Sequence, residues 1–227
     1  SEIVSRIQMP KCQGLLRFWF GVHEFTNEDF IKQNKAAISD LGIRYTPQNN
    51  ISLDIWKYFH LLSRDDVFAK YFVNCLNVIE QACNALGKNE RCKKLTDAIE
   101  SCRNFIKPLY AIDLQGTEEI PFDELNELLY DFSDKICNVA EEQFNVEKNN
   151  YSANREYERI RRESTKILNI YNAFNNAPTP LVNDPILILE GEAGVGKSHL
   201  FADVVTTLSK NGRSSFLFLG QKFTTEE

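Results

Sequence analysis

Residues 67–86, VFAKYFVNCLNVIEQACNAL, decide how this chain is read. Val67, Phe68, Tyr71, Phe72, Cys75, Leu76, Ile79, Ala82, Cys83 and Leu86 recur at spacings of three and four, which places them on one face of an α-helix. Gly87 follows as a C-terminal stop. The same spacing returns downstream in Cys92, Leu95, Ala98, Ile99, Cys102, Phe105 and Ile106, ending before Pro108, and again in Phe122, Leu125, Leu128, Leu129, Phe132, Ile136, Val139 and Ala140. A fourth helix is expected from near Ser152, carrying Tyr157, Ile160, Ile167, Leu168, Tyr171 and Phe174. Apolar stripes of this kind bury one another, so residues 51–176 are expected to form an antiparallel helical bundle. The fourth helix opens with Arg155, Glu156, Glu158, Arg159, Arg161, Arg162 and Glu163, which reads as a solvated face laced with i, i+4 pairs.

The pattern changes at residues 177–185, APTPLVNDP, where three prolines end the helix and a linker is expected. Residues 186–189, ILIL, then form an apolar run of strand length, followed directly by 191–198, GEAGVGKS. This is the spacing G-x-x-x-x-G-K-[ST] of the phosphate-binding P-loop. Glycines let a backbone fold around a polyphosphate without Cβ clashes, so that main-chain N–H groups and a helix N-terminus point at the ligand. The expected site is Gly191, Glu192, Ala193, Gly194, Val195, Gly196, Lys197 and Ser198, with His199 directly behind it. Lys197 would meet the β- and γ-phosphates of ATP, and Ser198 would give a hydroxyl to Mg²⁺. A helix through Ala202, Val204, Val205 and Leu208 ends at Asn211-Gly212, and 214–219, SSFLFL, reads as a second strand. The acidic residues after the loop are Asp203, Glu226 and Glu227, none of them at a strand end, so no catalytic group can be named. The expected fold is therefore mostly α, a helical bundle, followed by an incomplete α/β P-loop NTPase segment at 186–227.

Composition narrows the functional classes. Of 227 residues, 26 are Lys or Arg and 32 are Asp or Glu, giving a net charge of -6, which argues against a dedicated nucleic-acid binder while leaving room for a local basic patch. No window has the roughly 18 to 20 uncharged apolar residues of a membrane helix. The six cysteines form no C-x-x-C pair and the three histidines stand apart, so zinc spacing is absent; Cys75, Cys83, Cys92, Cys102 and Cys137 read as buried hydrophobes in a reducing, cytoplasmic setting. Residues 1–50 hold an apolar cluster (Leu15, Leu16, Phe18, Trp19, Phe20) and a helical stretch from Ile31 to Leu41, and are expected to be the tail of a preceding domain.

Two patches resemble a known family. Residues 186–200, ILILEGEAGVGKSHL, with 216–223, FLFLGQKF, look like the start of the NTPase domain in the Avs group of bacterial STAND ATPases, which are antiphage defence sensors. Residues 41–51, LGIRYTPQNNI, resemble the segment that opens the region between effector and NTPase domains in that family. The resemblance implies a cytoplasmic ATP hydrolase that binds a phage protein and forms homo-oligomers when full length, with this stretch alone inactive. Only Gly191, Gly194, Gly196, Lys197 and Ser198 carry over to the family's nucleotide site, and no effector active site is visible at the N-terminus. Two other readings stand beside it: another AAA-like ATPase of the helicase-loader type, and a helical oligomerisation or interaction module with an inert P-loop segment.

Overall fold

The structure is a computed structural model that describes residues 26–46, 55–146, 151–192, 194 and 196–217. The cluster at residues 15–20, Ala193, Val195 and the end of the second expected strand lie outside the described residues. In chain order the helices are α1 (Asn27–Leu41), α2 (Trp56–Ser63), α3 (Asp66–Gly87), α4 (Thr96–Leu109), α5 (Phe122–Val146), α6 (Tyr151–Asn176), α7 (Pro180–Asn183) and α8 (Lys197–Lys210). Short 3-10 turns cover Gly42–Arg44 and Glu90–Leu95. The chain divides into two compact units, one of residues 60–185 and the other formed from 1–59 together with 186–227.

The first unit is the helical bundle. Its core takes Phe68, Phe72, Leu76, Ile79 and Cys83 from α3, Ile99, Cys102 and Ile106 from α4, Leu125, Leu129, Phe132 and Ile136 from α5, and Ile160, Ile167 and Phe174 from α6. Phe72, Phe122 and Phe174 meet in a trio with ring centroids 5.6 to 6.0 Å apart, a spacing at which edge-to-face contacts add to burial. α5 and α6 run antiparallel and pack along one another: Tyr130 meets Tyr171, Ser133 meets Ser164 and Phe144 meets Tyr157, so partner numbers fall as residue numbers rise. Burial pushes the Cys75 and Cys92 thiols above their ordinary pKa, Cys92 to about 11, and both remain neutral hydrophobes.

Several local expectations need correction. The apolar stripes are wider than the arcs that are buried: Val67, Tyr71 and Leu168 lie on the flanks at 55%, 45% and 37% exposure, and Leu128 is only partly buried beside fully buried Leu129. The helix expected from Cys92 to Ile106 is a 3-10 turn followed by α4, because Cys92 (φ -97°, ψ 15°) leaves the helical region. α4 then runs past the expected stop, with Pro108 inside its last turn, where a missing N–H costs a single terminal hydrogen bond. Glu163 is not on a solvated face; it is buried and accepts from Lys166 Nζ at 2.9 and 2.8 Å.

The prolines stop α6 at Asn176, and the stretch behind them docks on the bundle. Pro180 opens α7, Val182 is 1% exposed in the core, and the Asn183 amide bonds both backbone groups of Ile120, accepting from its N–H at 3.0 Å and donating to its C=O at 2.8 Å. Arg64 clasps the same place. Its buried guanidinium donates to Val182 O (2.9 Å), Gly116 O (3.0 Å), Glu118 O (2.6 Å) and Asn183 Oδ1 (3.3 Å). Burial lowers the pKa of this guanidinium, with the nearby Asp113 and Glu118 carboxylates acting in the opposite direction. A planar fork serves four acceptors that an ammonium cannot reach together, so Arg64→Lys should lower the stability of this unit by about 1 to 2 kcal/mol in urea unfolding. An unchanged midpoint would show that the clasp contributes nothing.

Asp65 performs two tasks at the start of α3. One carboxylate oxygen accepts from the N–H groups of Val67 (3.0 Å) and Phe68 (3.1 Å) as the N-cap, and the other meets His60 Nδ1 at 2.6 Å. In the second unit, α1 packs on α8, and Thr26 with Asp29 closes a capping box at the start of α1. Hydrogen bonds from Thr26 hold the Asp29 carboxyl below its usual pKa. No strand is assigned among the described residues, so residues 186–189 and 214–217 run without ladder pairing there.

Candidate phosphate-binding loop

The loop of residues 190–196 leads straight into α8, and its shape is set at two glycines. Gly194 (φ +88°) and Gly196 (φ +93°) both take left-handed backbone conformations that other residues rarely adopt. Neither would bring a Cβ within 4 Å of another group, so the requirement for glycine is conformational. Gly196 is the N-cap of α8 and brings no side chain to its first turn; no side-chain cap bond forms there. A helix start normally satisfies its first N–H groups with a capping oxygen, so this one leaves them to water or to an anion.

Lys197 closes the loop on itself. Its Nζ donates to Gly191 O at 2.5 Å and to Glu192 O at 2.8 Å, carbonyls five and six residues back along the chain. The ammonium is thereby held over the loop backbone by two neutral acceptors and no carboxylate is among these partners. An incoming phosphate oxygen offers a charge-assisted bond, roughly twice as strong as a neutral one, in place of either. Gly191, Glu192, Gly194, Gly196 and Ser198 are exposed, while Lys197 and His199 are half-buried.

The sequence-predicted site residues do not all serve the same surface. Gly191, Glu192, Gly194, Gly196, Lys197 and Ser198 share the loop and the helix start. His199 turns aside: its ring lies 5.0 Å from that of Tyr45, and its Nδ1 accepts from Thr46 N–H at 3.4 Å. Sequence reasoning missed Tyr45 and Thr46 as neighbours of His199, and Asn34 as the partner of the segment that follows α8. Asn34 was the detectable one, because it stands on the stripe of Phe30, Ala37 and Leu41, where a polar side chain on an inner face asks for a partner.

For a metal, the donors suit an ion that arrives with its ligand. Ser198 contributes one neutral hydroxyl, and no group of three or more His, Cys, Asp or Glu residues able to hold a metal occurs among the described residues. Mg²⁺ carried by a triphosphate fits this, since it takes most of its oxygens from phosphate and water. Among the described residues no helix is long and apolar enough to cross a membrane. No family model matches the chain, and no curated protein or solved structure matches it.

Proposed function

We propose that residues 191–198 bind the phosphates of Mg-ATP and that the chain belongs to a STAND-type ATPase acting as an antiphage defence sensor. One observation carries the nucleotide reading: a loop with two left-handed glycines, closed by its own lysine, runs into a 14-residue helix whose first turn lacks a side-chain cap. Each part suits a polyphosphate for a separate reason. The glycines permit the turn, the helix start supplies N–H groups and the positive end of its dipole, and Lys197 supplies a mobile charge already aimed at the loop. Lys197 would exchange its carbonyl partners for phosphate oxygens, and Ser198 would supply a hydroxyl to the Mg²⁺ that accompanies the nucleotide.

The sensor reading rests on the resemblance of residues 186–200, 216–223 and 41–51 to the Avs group. A phage protein as trigger, assembly into homo-oligomers and a cytoplasmic setting come with that resemblance. The nucleotide reading has its own test. Titration of the chain with Mg-ATP, Mg-tripolyphosphate and adenosine, followed by thermal melting, should show stabilisation by the first two and none by adenosine. A ligand at 100 times its Kd adds about 2.7 kcal/mol. Equal effects of adenosine and ATP, or none from either, would remove the phosphate loop as the binding element.

A further inference from the structure

The phosphate loop lies in a unit assembled from chain segments that precede and follow the helical bundle in sequence, and side chains of the earlier segment meet α8 and the residues behind it. Asn34, 3% exposed on α1, donates from Nδ2 to Ser215 O at 2.7 Å and accepts at Oδ1 from Leu217 N–H at 2.9 Å. Those two backbone groups flank Phe216. They are the pair that a residue on a neighbouring parallel strand would bond, so the Asn34 amide stands in for one residue of a strand. Beside it the rings of Phe30 and Phe216 meet edge-on at 4.8 Å. The segment so held is tied to α8 in turn, through Ser215 Oγ to Val205 O at 3.4 Å.

Beyond α1 and the 3-10 turn that follows it, Tyr45 and Thr46 engage His199, the third residue of α8. His199 belongs to the turn whose N–H groups face the loop. Its side chain is thus held from outside by Tyr45 and Thr46, part of an arm formed by residues 26–46, while the same turn would be held from inside by phosphate.

We propose that residues 26–46 are a working part of the nucleotide site, with Tyr45 as a positioning residue that orders the first turn of α8 for phosphate and Asn34 as one that fixes the segment packed behind α8. The proposal rests on the reading of residues 191–198 as a phosphate loop. Its physical basis is preorganisation: ordering that the arm supplies in the free chain is ordering that the ligand does not have to supply. Linkage then makes the effect reciprocal. If the docked arm strengthens nucleotide binding, bound nucleotide tightens the docking of the arm by the same factor.

The test uses the 227-residue chain and Mg-ATP. Calorimetry should show Asn34→Ala and Tyr45→Ala each weakening Mg-ATP binding by about fivefold or more, with Tyr45→Phe restoring it because the ring contact to His199 is kept. In His199→Ala, adding Tyr45→Ala should cost nothing further, since the partner is already gone. Mg-ATP should slow amide hydrogen exchange across residues 27–45 of the parent chain, and this protection should disappear in Lys197→Ala. Tyr45 lies beyond α1 and keeps the test open should Asn34→Ala unfold the unit. Normal Mg-ATP binding by Tyr45→Ala, with exchange in the arm indifferent to nucleotide, would overturn the coupling and leave the phosphate loop standing. Absence of Mg-ATP binding by the parent chain would overturn the loop reading and the coupling with it.

Discussion

Leu129→Asp is expected to abolish the cooperative thermal transition of the helical bundle. Leu129 is 0% exposed on α5, in a core shared with α3, α4 and α6. Removing a buried leucine side chain costs about 2 to 5 kcal/mol, and placing a carboxyl group without a partner in the same space adds a few more. The sum rivals the roughly 5 to 15 kcal/mol that holds a typical domain together. The sign of the pH dependence distinguishes this cause from simple cavity formation. A buried carboxyl has its pKa raised above the unfolded value, so the native state binds the extra proton and the variant loses stability as pH rises through the folded pKa. Leu129→Asp should therefore recover part of its helical circular dichroism and its transition near pH 4. Leu128→Asp, one position around the helix and only partly buried, should melt cooperatively at neutral pH with a smaller loss. A cooperative transition at an unaltered temperature for Leu129→Asp would mean that the buried face of α5 is assigned wrongly.

Lys197→Ala should weaken Mg-ATP binding by roughly 10- to 150-fold, the equivalent of about 1.5 to 3 kcal/mol for a hydrogen bond to a charged group. The loop itself should survive the change. Among the described residues Lys197 Nζ bonds to Gly191 O and Glu192 O, both in exposed residues that water can satisfy, so little folding stability is at stake. Calorimetry on a chain whose melting temperature is unchanged would isolate the loss to the ligand. Unaltered affinity would separate Lys197 from phosphate binding altogether. Lys197→Arg is a useful companion, because a guanidinium keeps the charge but brings a broader head to a position where the ammonium reaches two carbonyls as a point charge.

Much of this molecule is legible in its residues alone. The helical phase of α3 follows from the spacing of Phe68, Phe72, Cys75, Leu76, Ile79, Cys83 and Leu86, all buried, because a period of 3.6 leaves one apolar face and only burial accounts for it. The loop before α8 is legible for a different reason. Its residues are contiguous, and the left-handed backbone at Gly194 and Gly196 is a local property that glycine permits and other residues resist. Tertiary structure decided the rest. Which apolar positions are buried depends on where the neighbouring helix lies: Leu129 is enclosed, while Leu128 beside it and Leu168 on α6 face outward to different degrees. The docking of Val182 and the clasp of Arg64 pair residues 118 positions apart, and Asn34 finds its partners at 215 and 217, up to 183 positions away. No local period reports such pairs. They exist because a buried amide or guanidinium must find acceptors and donors wherever the fold brings them, and that demand is met in space rather than along the chain.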